Sequence, residues 1–370
     1  MAERIYSVDA MRIVAMVPIV LIHTDPFQGY SLYGNMFNFA TKTTARFAVP
    51  FFFLTAGYFF ALKTTSRDPT RYFVARAKRI TSLYVFGLAL AAPVFFIGAL
   101  VRARLSGRNV VDSALGTLAG FLSPVELLYY GTSVSEILWF LPALLFSFAF
   151  VYAFVRTNRT ALLLPAALCL HAVGLLGASY TMFVDVPFEI RDALFFGVFY
   201  TSLGYTVYAR DWRPTAEASG RYLVLTVCFA LAQLGELSLL GYVVPGEPFG
   251  QSVYAPSYAI TTALLSLSLF LFLLSRPDLG SSTRLPRWGK YAVGIYVTHP
   301  AVLYVLQGVH DALTAAGYAV GETVAWHLAL TPATFFGALA VYLTAHELGI
   351  IDIDGSHVPR VPRLRNAGSE

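Results

Sequence analysis

Apolar residues run along the chain in long stretches divided by short polar segments. Ten stretches approach the length needed to cross a membrane: 8–24, 44–62, 80–101, 136–155, 161–178, 192–208, 222–242, 256–274, 291–308 and 326–346. A helix of about 20 apolar residues spans the hydrocarbon core. The pattern predicts an all-α fold, a polytopic transmembrane helix bundle of about ten spans over residues 1–347, with a short basic tail at 348–370. The first stretch has the shortest unbroken apolar run, 13–22, so its polar face has to be buried among other helices. The longest gap, 102–135, contains an apolar run at 115–128 interrupted by Gly120 and Pro124, which predicts an interfacial or re-entrant helix.

The polar exceptions inside the apolar stretches carry the chemistry. Arg12 and His23 are eleven positions apart in the first one. Eleven residues make three turns plus roughly 20°, so both side chains share a face, separated by roughly 16 Å along the axis. Ionisable groups at membrane depth are costly and mark working sites or pathways. Glu236 stands near Gln233 in the seventh stretch and His299 precedes Pro300 in the ninth. An unpaired carboxylate at Glu236 would be expensive, so it is protonated, paired or close to an interface.

Composition agrees with lipid as the solvent. The chain is 57% hydrophobic and 13% charged, against about 25% charged in soluble domains. The net charge of +5 does not point to nucleic acid, because the basic residues sit in short segments between apolar stretches. With the N-terminus inside, nineteen of the 26 Lys and Arg residues fall in inner segments and five in outer ones, which places both termini in the cytoplasm of a multi-pass protein of the cell membrane. Arg102, Arg104 and Arg108 run against this trend. They mark either an outer site for an anionic partner or a third span that ends later than its apolar core. The N-terminal stretch does not have the form of a cleavable signal, because Asp9 and Arg12 interrupt it. Cys169 and Cys228 lie in apolar stretches and give no disulfide framework. The remaining histidines have no metal-binding spacing, so no metal is expected.

Four motifs occur in order: D-x-x-R followed by ten residues and His (Asp9, Arg12, His23), R-F-A-V-P-F-F-F-L-T-A-G-Y from Arg46, E-I-L-W-F-L from Glu136, and G-I-Y-V-T-H-P from Gly294. Together they resemble the acyltransferase-3 family of integral membrane acyltransferases. The resemblance implies transfer of an acyl group, often acetyl, from a cytoplasmic thioester such as acyl-CoA to a hydroxyl of a cell-envelope or exported glycan. It maps the family's arginine and histidine onto Arg12 and His23, and its second-span arginine and Val-Pro onto Arg46, Val49 and Pro50. Ala56-Gly57-Tyr58 and Val297 depart mildly from the family pattern. Some relatives carry an esterase-like domain after the last span, a segment this sequence does not include.

Acyl transfer to an alcohol needs a base for the hydroxyl proton and donors where the oxyanion develops. His23 is the candidate base, or a nucleophile through an acyl-histidine; packing against a backbone carbonyl is the alternative. Arg12 either holds a phosphate of the acyl-CoA or pairs with Asp9, three residues away. Arg46 stabilises the oxyanion or holds the acceptor, or else snorkels to the interface. Glu136 is a third catalytic candidate, although capping of the fourth span explains it as well. Asp9 and His299 are supporting candidates. The expected partners are a carbohydrate or glycolipid acceptor and membrane lipid. A lipid acceptor held within the bilayer would be favoured by wide lateral openings between helices. A transporter or channel with an intramembrane Arg/His pathway is the alternative class, although the two halves show no convincing repeat.

Overall fold

The computed structural model describes residues 4–352 apart from 185, 188, 189, 191 and 192, and every regular element among them is helical. The helices are α1 (Tyr6–Thr24), α2 (Leu32–Ala45), α3 (Ala48–Thr64), α4 (Pro69–Leu105), α5 (Val110–Phe121), α6 (Phe140–Arg156), α7 (Leu163–Ala178), α8 (Val198–Ala209), α9 (Ser219–Ser238), α10 (Ile260–Ser275), the single turn α11 (Leu285–Trp288), α12 (Ala292–Ala315) and α13 (Val324–Glu347). All ten apolar stretches contain a helix. Seven helical segments among the described residues are long and apolar enough to cross a membrane, whereas Phe140–Arg156, Ala193–Ala209 and Ile260–Ser275 are shorter.

Several local features differ from the pattern-based boundaries. The helix of the third stretch, α4, starts at Pro69 rather than residue 80, because Asp68 accepts a hydrogen bond from Arg71 N at 2.7 Å and Pro69 fits the first helical turn. Its far end reaches Leu105, so Arg102 and Arg104 form its last turn. An additional helix, α2, precedes α3, with the Ser31 hydroxyl capping it through Gly34 N at 3.0 Å. The apolar run at 115–128 divides between α5, none of whose residues is buried, and a π-type turn at Val125–Tyr130. The first part of the predicted tail folds back on α13: Ile351 is buried, and Tyr342 donates to the Asp352 carbonyl at 3.1 Å. Residues 353–370 of that tail lie outside the described residues.

The centre of the bundle is α3, apolar on every side, with Phe51, Phe53, Leu54 and Phe60 fully enclosed. It packs backbone-to-backbone against α8. A Cβ on Gly57 would lie 1.9 Å from the Thr201 carbonyl oxygen, and a Cβ on Gly204 would lie 2.0 Å from that of Leu54. Small residues permit this approach where lipid offers no hydrophobic drive between helices. The α11 turn reaches α1 in the same way, with the Gly289 Cβ position 2.2 Å from the Asp9 carbonyl oxygen.

Glu236 is structural. Its carboxylate accepts from Ile260 N at 3.1 Å and Thr261 N at 2.9 Å, and also from the Thr261 and Tyr180 hydroxyls, so it caps the N-terminus of α10. The carboxylate is stabilised there by the free amides and the positive end of the helix dipole. Glu236→Ala is expected to cost about 2–3 kcal/mol by leaving those donors unsatisfied. A lowered thermal midpoint in detergent checks this, and a midpoint within a degree or so of wild type would contradict it.

Candidate functional site

Helix α1 carries Arg12 and His23 on one uninterrupted helix, as their spacing predicts. At the Arg12 end, Asp9 divides its two oxygens: Oδ1 accepts from Arg12 at 3.1 Å and Oδ2 from Arg4 at 2.8 Å. Of the two readings of Arg12, the pairing with Asp9 is present. The guanidinium pairs with Asp9, lies over the Phe59 ring at 5.1 Å, and lines a cavity of about 300 Å³. That cavity also takes Arg76 and Arg79 from α4 and Lys290 from the turn before α12. Four cations thus face one space, and Asp9, the carboxylate nearest Arg12, is already engaged. Such a set suits a multiply charged phosphate ligand.

Further cavities follow in a row toward the other end of α1. A neck of about 40 Å³ shares Phe52, Phe140, Ala292 and Val293 with the cationic cavity. Beyond it, about 110 Å³ is lined by His23, Arg46, Val49, Pro50 and Tyr258, and shares Ile19, Val49, Phe140 and Tyr296 with the neck. The last cavity, about 520 Å³, shares Trp139 and Ser257 with the His23 space and is lined by Glu126 and Glu136.

His299 stands beside His23, with ring centroids 5.6 Å apart and ring planes tilted by 39°. The two rings meet because α1 and α12 are neighbours and His299 is completely buried. Pro300 has no N–H, so the Tyr296 carbonyl four residues earlier loses its helical donor. His299 Nδ1 replaces that donor, lying 2.7 Å from Tyr296 O and 3.2 Å from Ile295 O. A carbonyl only accepts, so Nδ1 carries the proton and Nε2 of the neutral ring is a bare lone pair. Nε2 is buried and has no hydrogen-bond partner among the described residues.

Arg46 sits in the turn between α2 and α3, just ahead of the Ala48 start of α3, and its guanidinium bonds the Ala255 carbonyl at 3.1 Å and the Ser257 hydroxyl at 3.4 Å. Glu136 does not cap the fourth-span helix. That helix begins at Phe140, because 136–139 form a turn, and the exposed Glu136 borders the 520 Å³ cavity instead. Asp25, two residues after His23, is directed away to Lys42 at 2.5 Å and Asn38 at 3.4 Å.

The structure thus gathers His23, Arg46 and His299 at one level, Glu136 beyond them, and Arg12 with Asp9 at the far end. Arg76, Arg79 and Lys290 entered the sequence reading only as topology charges. The three-residue spacing of Arg76 and Arg79 did carry a signal, since it puts both on one helix face.

A family model for the acyltransferase domain matches residues 5–345. Two proteins of Enterococcus faecalis described as amino-acid racemases are similar to the chain. One is 26% identical over 242 residues, covering 62% of this chain and 31% of the relative. The other is 24% identical over 327 residues, covering 84% and 42%. A serine/alanine racemase of Enterococcus gallinarum is 25% identical over 332 residues, covering 82% and 41%. The chain therefore spans less than half the length of these relatives. No solved structure matches it.

Proposed function

The chain belongs to the family of acyltransferases defined by this domain, and on that premise we propose that it moves an acyl group, acetyl in the first instance, from cytoplasmic acyl-CoA to a hydroxyl of a cell-envelope glycan or glycolipid. The row of cavities linking the four cations to His23 carries this reading. With both termini in the cytoplasm and the domain at 1–347 in the cell membrane, the cationic cavity opens to the donor's side. Arg12, Arg76, Arg79 and Lys290 hold the phosphates there. The thin pantetheine arm passes the neck and brings the thioester roughly 16 Å further along α1, to His23.

In the transfer, the acceptor oxygen attacks the thioester carbonyl and His23 takes its proton. The oxyanion forms beside Arg46, which is already aimed into that space. The C–S bond then breaks, and the proton passes from His23 to the departing thiolate. His299 presents its bare Nε2 beside the His23 ring; in the loaded site it accepts from the other nitrogen of His23 and so directs the basic nitrogen at the acceptor. Glu136 borders the space beyond His23 and Arg46, at the end of the row away from the donor's phosphates.

The deciding experiment supplies labelled acetyl-CoA to one face of sealed vesicles at a time. Label on glycan or glycolipid is expected only with donor at the face bearing Arg76 and Arg79. The Arg76→Ala/Arg79→Ala variant is expected to raise the donor KM by about tenfold or more, with kcat little changed, since it removes charge-assisted contacts made equally in ground and transition states. Labelling from the opposite face, or an unchanged KM, would overturn the donor path. No labelled product at all from folded wild type would leave the cavity row as a transport pathway.

A further inference from the structure

A fifth cavity, the largest at about 970 Å³, lies outside this row between α4, α12 and the start of α13. It shares no lining residue with the other four. It is at the His23 end of the bundle, where Thr24, the residue after His23, forms part of its wall. Its lining has two kinds of surface. One side is polar, with Gln28, Arg102, Gln307, His310 and Asp311. The other is apolar and opens sideways between α4 and α12, where Ile97, Val101 and Val305 are each more than half exposed. Gly98 and Gly308 stand in this lateral gap, and a Cβ on Gly308 would meet nothing within 4 Å.

The polar side distinguishes this cavity from the cationic one. The lining carries one arginine and two carboxylates, so it does not select a polyanion. Both carboxylates, Asp25 and Asp311, already have cationic or ionisable partners, Lys42 at 2.5 Å and His310 at 3.2 Å. What remains is a mixture of neutral donors and acceptors with a flat aromatic surface, Trp326 beside His310 at 5.1 Å between ring centroids. Hydroxyl-rich rings fit such a lining, with their polar edges on amides and carboxylates and their apolar faces on the indole. The open apolar side then lies where hydrocarbon chains leave into the bilayer.

We propose that this cavity holds the acceptor as a glycolipid, with its sugar against Trp326, Gln307 and Asp311 and its chains leaving between α4 and α12. The proposal rests on the acyltransferase reading and names its acceptor class as membrane-bound, in place of a finished polymer.

The test uses phosphatidylcholine vesicles containing a glucosyl diacylglycerol with a photoactivatable group in one acyl chain. Crosslinks are expected within 94–102 and 304–315. A Cβ at Gly308 meets no neighbour within 4 Å, so Gly308→Trp places its ring in the gap and is expected to reduce them by about tenfold, the effect of losing one well-packed contact region. Phosphatidylcholine carrying the same photoactivatable group, but no sugar, should label these segments no more than other lipid-facing helices. Equal labelling by the sugar-free lipid, or full labelling of Gly308→Trp, would overturn the site. Labelling requires no donor, so His23→Ala should crosslink as wild type does while transferring nothing. A wild type that crosslinks the glucosyl lipid yet transfers no acyl group in the presence of acetyl-CoA would overturn the acceptor role and the acyltransfer reading, not the lipid site. Acyl transfer to the glucosyl lipid at full rate by Gly308→Trp would overturn the acceptor role alone.

Discussion

His23→Ala is expected to lower acyl transfer by about a hundred- to ten-thousand-fold, the usual worth of a positioned general base, with the donor KM and the amount of folded protein unchanged. The separation follows from the geometry. The cations assigned to the donor's phosphates in the proposed function line a cavity on the far side of the neck from His23, so removing the imidazole leaves them intact. The neighbouring histidine gives a graded control. His299→Leu removes both the donor to the Tyr296 carbonyl and the unpartnered Nε2 of the ring beside His23. His299→Gln can supply both from one amide, so it should retain more activity than the leucine variant. A folded His23→Ala that transfers at the wild-type rate would remove His23 as base, and equal activity of the two His299 variants would remove the tautomer argument. Single-turnover rates at saturating donor read both.

Gly57→Ala and Gly204→Ala are each expected to destabilise the bundle by more than about 3 kcal/mol, above the ordinary range for an added methyl in a packed interior. Each methyl would stand about 2 Å from a backbone oxygen of the facing helix, and a backbone cannot rotate away as a side chain can. The two sites are reciprocal, with Gly57 against Thr201 and Gly204 against Leu54. Once one methyl has pushed α3 and α8 apart, the second costs less, so the double variant should fall well short of the sum. Gly235→Ala in α9, whose Cβ position is open, serves as the control and should be neutral or stabilising by about 0.5–1 kcal/mol. Thermal unfolding followed by size-exclusion in detergent reads all four. Additive losses at Gly57 and Gly204 would show that the two glycines do not govern a single helix crossing.

Much of this was legible in the chain. Apolar stretches located the helices because in lipid a backbone must satisfy its own hydrogen bonds, which leaves helix as the default. The face shared by Arg12 and His23 followed from helical pitch alone. Hydropathy failed at the ends, where it cannot register Asp68-Pro69 as the start of α4 or Ser31 as the cap of α2. Glu136 was misplaced for the same reason: Ile137, Leu138 and Trp139 of the turn continue the apolar pattern of the helix that follows. The meeting of His23 with His299 depends on how α1 and α12 pack, and no local pattern encodes that. Arg76, Arg79 and Lys290 were hidden by their abundance, since near a membrane surface a basic residue serves orientation as readily as binding.

The neck between the cationic cavity and His23 bears on the energy economy of the cell. A continuous wet path from one membrane face to the other would conduct protons and dissipate the transmembrane gradient. The neck has room for only a few waters and is lined by Met16, Ile19, Val49, Phe52, Phe140, Ala292, Val293 and Tyr296, with no charged group. An apolar constriction of this size dewets and closes to ions. On the proposed donor path, a catalyst of this build stands in an energised membrane between turnovers without leaking, because the seal yields only to the slender organic chain that fills it.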